Sequence, residues 1–264
     1  MTNWGFFYYF ANPMPEWPIG EKLNSNFMKY SIAAVVASLL IVGCSQKESD
    51  KNLTITGNIK GLKKGTLYIQ KIVDTSLVPI DTIKIDGDSH FTAAFDIKSP
   101  EMYYLFLDRG VTNSVDNNIP FFVEPGKINI ETSLDHFLYD SKITGSKNQE
   151  KYDEFKKVNS SFTDQTLTLI EARFKAFKFN NTKRIDSIKT VQELVTKRRY
   201  LYTTNFAINN KDLEIAPFIT LKEIPDINLK YLDTIQKSMT PKVAQSLYGK
   251  ELIKYYNERK KLGQ

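Results

Sequence analysis

A single cysteine, Cys44, stands in a chain of 264 residues. Without a second thiol there is no disulfide within one molecule and no resolving partner for redox chemistry. Histidine is nearly as scarce, with only His90 and His136. Metal centres cluster His, Cys or carboxylates; neither histidine has such company in the sequence, and both read as solvated or hydrogen-bonded. A Ser-His-Asp triad is a spatial arrangement that spacing leaves open, but no G-x-S-x-G supports one. Gly61-Leu62-Lys63-Lys64-Gly65 lacks the pattern of a phosphate-binding loop and reads as a hairpin turn. Asp81-Thr82 and Asp86-Gly87-Asp88 are too short for an EF-hand and lack its distal glutamate. Internal repeats and low-complexity tracts are absent. The net charge of +6 is mild and spread along the chain, which argues against a nucleic-acid-binding domain. The expectation is therefore no cofactor, no metal, no nucleic-acid partner and, with no catalytic constellation, no enzyme.

Long apolar runs are missing too. The longest, Ile32 to Gly43, falls short of the roughly 20 residues that span a bilayer. It does match the hydrophobic region of a signal peptide. Met28-Lys29-Tyr30-Ser31 supplies a short basic start. The run closes on Ile41-Val42-Gly43-Cys44, the order of a lipobox. Small residues let a signal peptidase grip the extended backbone between Gly43 and Cys44. The thiol then carries the acyl chains, each buried methylene contributing about 0.8 kcal/mol to anchoring. Residues 28–43 are thus expected to be a lipoprotein signal peptide, and Cys44 the lipidated first residue. Residues 1–27 hold both tryptophans, Trp4 and Trp17, and no recognisable pattern; they read as an over-extended start. Residues 44–52 are polar with alternating charge and read as a flexible tether. Ser45, where Asp would favour the inner membrane, points to the outer membrane, on its periplasmic or surface face.

From Leu53 the pattern alternates. Segments 53–59, 66–73, 78–85, 90–97, 102–108, 119–124 and 127–131 read as strands separated by turn signals. Short strands at this spacing argue an antiparallel β-sandwich. Around Gly145-Ser146 the period becomes helical. Ile185, Ile188, Val191, Val195, Tyr202 and Phe206 fall at i, i+3/i+4 spacing, and Asn180-Asn181 marks a break between two helices. Lys197-Arg198-Arg199 reads as a solvated helix face. Shorter helices follow from Pro217, Leu229 and Pro241, and a last one from Lys250 after Gly249. The fold class is α+β, an N-terminal antiparallel β-sandwich (53–146) followed by a mainly α-helical domain (147–264). On the aromatic strand, Tyr103 and Tyr104 are candidates for a binding surface, one strand face being core and the other open to a partner.

These segments resemble a known family. The residues that carry the likeness are Leu53 to Leu62, Gly65 to Ile69, Asp81-Thr82-Ile83, Asp86-Gly87, Phe91, Phe121 to Ile130 and Ile143-Thr144-Gly145-Ser146. Together they resemble the domain of unknown function, family 4369, carried by bacterial envelope lipoproteins. The stretch to residue 264, including Ser246-Leu247-Tyr248-Gly249-Lys250, is similar to the segment that often follows. In many relatives a thioredoxin-like domain with Cys-x-x-Cys comes next, and the expectation is that Gly263-Gln264 lies about where it would begin. The resemblance implies a place and an architecture rather than a reaction.

Three functional readings follow. The first is a non-enzymatic envelope lipoprotein, held to the membrane by Cys44 and acting as an interaction module for an envelope protein. The second is a degenerate or truncated partner of a thiol-disulfide oxidoreductase system. The third is a small-ligand or glycan binder that uses exposed aromatics such as Tyr103 or Tyr104.

Overall fold

The computed structural model describes residues 50–110 and 114–263. Gly43 and Cys44, the segments 1–27 and 28–43 and most of the tether 44–52 lie outside the described residues. The body begins at Asn52, which is stitched to the fold at once. Its carbonyl accepts from the Gly126 N–H at 2.9 Å. Its side chain exchanges two hydrogen bonds with the Ile97 backbone, at 2.8 and 2.9 Å.

Eight strands follow: β1 (Leu53–Lys60), β2 (Lys64–Val73), β3 (Ser76–Asp86), β4 (His90–Phe95), β5 (Glu101–Asp108), β6 (Asn118–Val123), β7 (Gly126–Ser133) and β8 (Lys142–Thr144). Period-two patterning explains them. In β1, Leu53, Ile55 and Ile59 are buried while Thr54, Thr56 and Asn58 are partly exposed between them, since successive strand side chains point to opposite faces. The strands form two four-stranded sheets, in the orders β4-β1-β7-β8 and β3-β2-β5-β6. Their inner faces meet in a core that includes Leu53, Ile55, Leu67, Ile69, Leu105 and Phe121.

The sandwich is as expected, but its first sheet is not purely antiparallel. β1 pairs in parallel with β7, from Leu53↔Gly126 to Lys60↔Ser133. β8 was not expected as a strand; it adds an antiparallel edge along Asn129–Glu131 of β7. Gly145, at φ +97, then turns the chain tightly against the Lys127 carbonyl, where a Cβ would collide.

Six helices complete the body: α1 (Lys147–Lys178), α2 (Thr182–Asn209), α3 (Ile215–Glu223), α4 (Leu229–Ser238), α5 (Pro241–Ala244) and α6 (Leu247–Lys261). Ser146 opens α1 as its N-cap, accepting from Gln149 N–H, and coincides with the expected change of period. At its 32 residues, α1 is about 48 Å long. α1 and α2 form a hairpin whose turn falls at Asn180-Asn181, as the sequence suggests. The last helix starts earlier than expected: Gly249 sits within the first turn of α6, pressed against the Val243 carbonyl.

Ser49–Gln264 clusters as one compact unit. One helical core gathers Ala207, Ile224, Leu232, Ile235 and Leu252. A further core joins sheet to helices, with Met102 and Phe122 from β5 and β6 against Tyr152, Phe155, Phe218 and Ile219.

Candidate functional site

The alternation of β5 decides the surface. Tyr103, Leu105 and Leu107 point into the sandwich; Met102, Tyr104 and Phe106 point to the outer face of the second sheet. Tyr103 is only 3% exposed, so it belongs to the core and offers no ring surface to a partner. It packs edge-on to Phe95 and Phe121. Tyr104 is half-buried on the outer face. Of the two aromatic candidates from the sequence, only Tyr104 borders a groove.

Helices build the far wall of that groove. Phe218 of α3 and Tyr248 of α6 crowd Phe122 at ring distances of 5.4 and 6.0 Å. The Tyr248 hydroxyl accepts a hydrogen bond from the Met102 N–H at 2.8 Å, fixing α6 over the sheet. The neighbouring edge of β6 is closed by Gln149 of α1, whose Oε1 accepts from Phe122 N–H at 2.8 Å. A buried polar knot sits behind it. Asn148 Nδ2 donates to Glu124 at 2.9 Å and to Glu214 at 3.1 Å, while its Oδ1 accepts from Ile215 N–H at 2.8 Å.

Two open hollows flank Tyr104. One, about 540 Å³, lies over the sheet between Gln70, Leu77, Phe106, Val115 and Pro120. Phe106 is held there by stacking on Tyr68 at 6.2 Å. The other, about 470 Å³, lies between sheet and helices and is lined by Glu101, Phe218, Lys222, Tyr248 and Glu251. Burial holds the Glu101 carboxyl above its usual range, against the opposing pull of Lys71 and a hydrogen bond from Tyr103. Glu251 is raised as well, first by burial and then by the charge of Glu101. Asn118 lines the first hollow. Its Oδ1 is buried and finds no hydrogen-bond partner among the described residues. Aromatic walls and two carboxylates beside one lysine together form a surface suited to cationic, partly apolar groups.

The histidines sit elsewhere. His90 Nδ1 lies 2.7 Å from Asp88, an exposed pair at the β3–β4 turn, where Gly87 takes φ +93. His136 Nδ1 lies 3.7 Å from Asp140. Ser133 is nearby, but its hydroxyl donates to Asp140 at 2.5 Å rather than to the imidazole. That order is wrong for a nucleophilic serine, which must pass its proton to the histidine. The trio caps a turn. Among the described residues no group of three or more His, Cys, Asp or Glu could hold a metal ion. The basic run on α2 is not uniformly solvated: Arg199 pairs with Glu223 at 2.5 Å and donates to Asn159 at 3.1 Å. It ties α1, α2 and α3 together instead of facing water.

Residues 53–152 match the family model of a domain of unknown function, DUF4369. The DUF4369 match covers both sheets and runs on through Tyr152, the first α1 aromatic packed beneath the groove. It carries no assigned function. A search of curated proteins finds no match. Neither comparison indicates catalysis.

Sequence reasoning found Tyr104 but missed the groove's carboxylates and Asn118. Glu101 stands at the start of β5 and Glu251 lies some 150 residues later, so no local pattern links them. Alternation could have separated Tyr104 from Tyr103, but not which of the two was buried.

Proposed function

We propose that this chain is an envelope lipoprotein whose body is a non-enzymatic interaction module, and that the groove beside Tyr104 receives a cationic, partly apolar segment of another envelope protein. The groove carries the reading. Glu101 and Glu251 face one hollow beside the cation of Lys222, and two carboxylates held above their usual range, both by burial and Glu251 also by the charge of Glu101, favour a further cation. Tyr104, Phe106 and Phe218 give that cation's aliphatic stem an apolar bed. The membrane attachment rests on Ile41-Val42-Gly43-Cys44 at the end of the apolar run, and the outer-membrane assignment rests on Ser45.

Two measurements test the proposal. Intact-mass analysis of protein extracted from membranes should show a first residue at acylated Cys44; a mass that includes Trp4 and Trp17 would refute the anchor. Calorimetric titration with short Lys/Arg-Phe peptides should give binding that weakens at least tenfold in E101Q/E251Q and in Tyr104→Ala. Binding of neutral glycans with equal strength in the double variant would replace the protein partner by a sugar.

A further inference from the structure

The far end of the α1–α2 hairpin carries a surface that neither the sandwich nor the groove requires. Phe174, Phe177 and Phe179 are exposed by 71%, 52% and 75%. With Ile170 they make a stripe on the last turns of α1, ending in the turn itself. Burying one such ring is worth far more than leaving it in water, so three together at a helix end need a cover.

The charge around them is one-sided. From Arg173 to Arg184 the sequence reads RFKAFKFNNTKR, with five basic residues and no acidic one. All five basic side chains are exposed. The Arg173 guanidinium lies 5.5 Å from the Phe177 ring centre, and Lys175 also pairs with Glu171, just before the segment, at 2.6 Å.

The turn is well made. Asn181 N–H donates to Ala176 O at 3.0 Å and Asn180 N–H to Phe177 O at 3.1 Å, with Asn180 at φ +49. This is the bond pattern of a Schellman cap. Asn181 then opens α2, accepting from Arg184 N–H at 3.0 Å. The rings and the cations are thus presented on a defined backbone.

We infer that this tip docks on the surface of an anionic phospholipid bilayer. Phe rings on an interfacial helix bury at the boundary of headgroups and acyl chains, and clustered Lys and Arg are drawn to anionic lipid. No helix among the described residues is long and apolar enough to cross a membrane, so the tip lies on the surface. A second copy of the chain is the poorer occupant. A two-fold contact sets the same patch against itself, which would bring two sets of five cations together. The tip is built from residues outside the groove, so the two proposals stand or fall separately.

A tip-local probe tests it. Phe177→Trp in the full chain carrying Trp4→Phe and Trp17→Phe places the sole tryptophan at the tip. With vesicles of phosphatidylcholine containing 30% brominated phosphatidylglycerol, its emission should shift to the blue and be quenched at least twofold. Raising the salt from 0.05 to 0.5 M should reverse most of this, because the attraction is screened. Replacing Lys178, Lys183 and Arg184 by Gln should weaken the effect at least fivefold, with the helical circular dichroism unchanged. An emission insensitive to anionic vesicles would overturn the inference. So would equal quenching on neutral brominated phosphatidylcholine, or a blue shift that grows with protein concentration in the absence of lipid, which would identify the second copy as the occupant.

Discussion

Tyr103 and Tyr104 are neighbours with opposite duties, and substitution separates them. Tyr103→Ala empties a site in the sandwich core and should cost about 3–5 kcal/mol, read as a lower denaturant midpoint. Tyr104→Ala trims a half-buried ring on the groove wall and should lower the midpoint less than Tyr103→Ala does, while weakening peptide binding at least tenfold. The groove carboxylates add a pH signature. An acid whose folded pKa is raised destabilises the fold once ionised, so stability falls as pH rises above about 4.5, the ordinary glutamate value. Glu101 and Glu251 both act in this direction. The lowered groups act oppositely, Asp88, Asp96 and Asp233 below 3.8 and Glu171 below 4.5. As pH rises through and above the ordinary glutamate value of 4.5 the wild type should therefore lose melting temperature relative to E101Q/E251Q, and equal slopes for the two proteins would remove the carboxylates from the argument.

Among the elements, the strands were the most legible. Seven segments showed period-two alternation and all seven are strands. β8 escaped because three residues are too few to display a period, and the parallel partnership of β1 and β7 escaped because pairing is decided between segments some 70 residues apart. The helix break at Asn180-Asn181 was readable, since Asn tolerates the left-handed backbone that closes a helix. How far α6 extends was less so: Gly249 looked like a boundary, yet it is needed inside the helix for the close approach to Val243. At the hairpin, Asn180→Gly should stabilise or leave unchanged, by at most about 1 kcal/mol, and Asn180→Val should destabilise by a similar amount. Both shifts would appear as changes in helical signal on heating. Of the groove, only Tyr104 was legible, because its carboxylates meet through folding alone.

On the scale of the whole body, sheet and helices are joined by the aromatic core around Phe122 and by the Asn148 knot. Glu214 is 2% exposed and relies on Asn148. Asn148→Leu would strand that carboxylate and the Ile215 amide without their partner, at about 3–5 kcal/mol. The wild type should unfold in one transition, with tyrosine absorbance and helical ellipticity coincident. In N148L the two probes should separate, the helices melting first.

The place where the chain enters the body has a mechanical meaning. Asn52 leads straight into β1, an interior strand of its sheet, flanked by β4 on one side and β7 on the other. Tension applied to the upstream segment pulls β1 along its own axis, so the hydrogen bonds of both ladders share the load in shear and cannot be peeled apart singly. A body hung from its amino-terminal end would therefore keep its shape under drag, yielding only when the whole strand slides free.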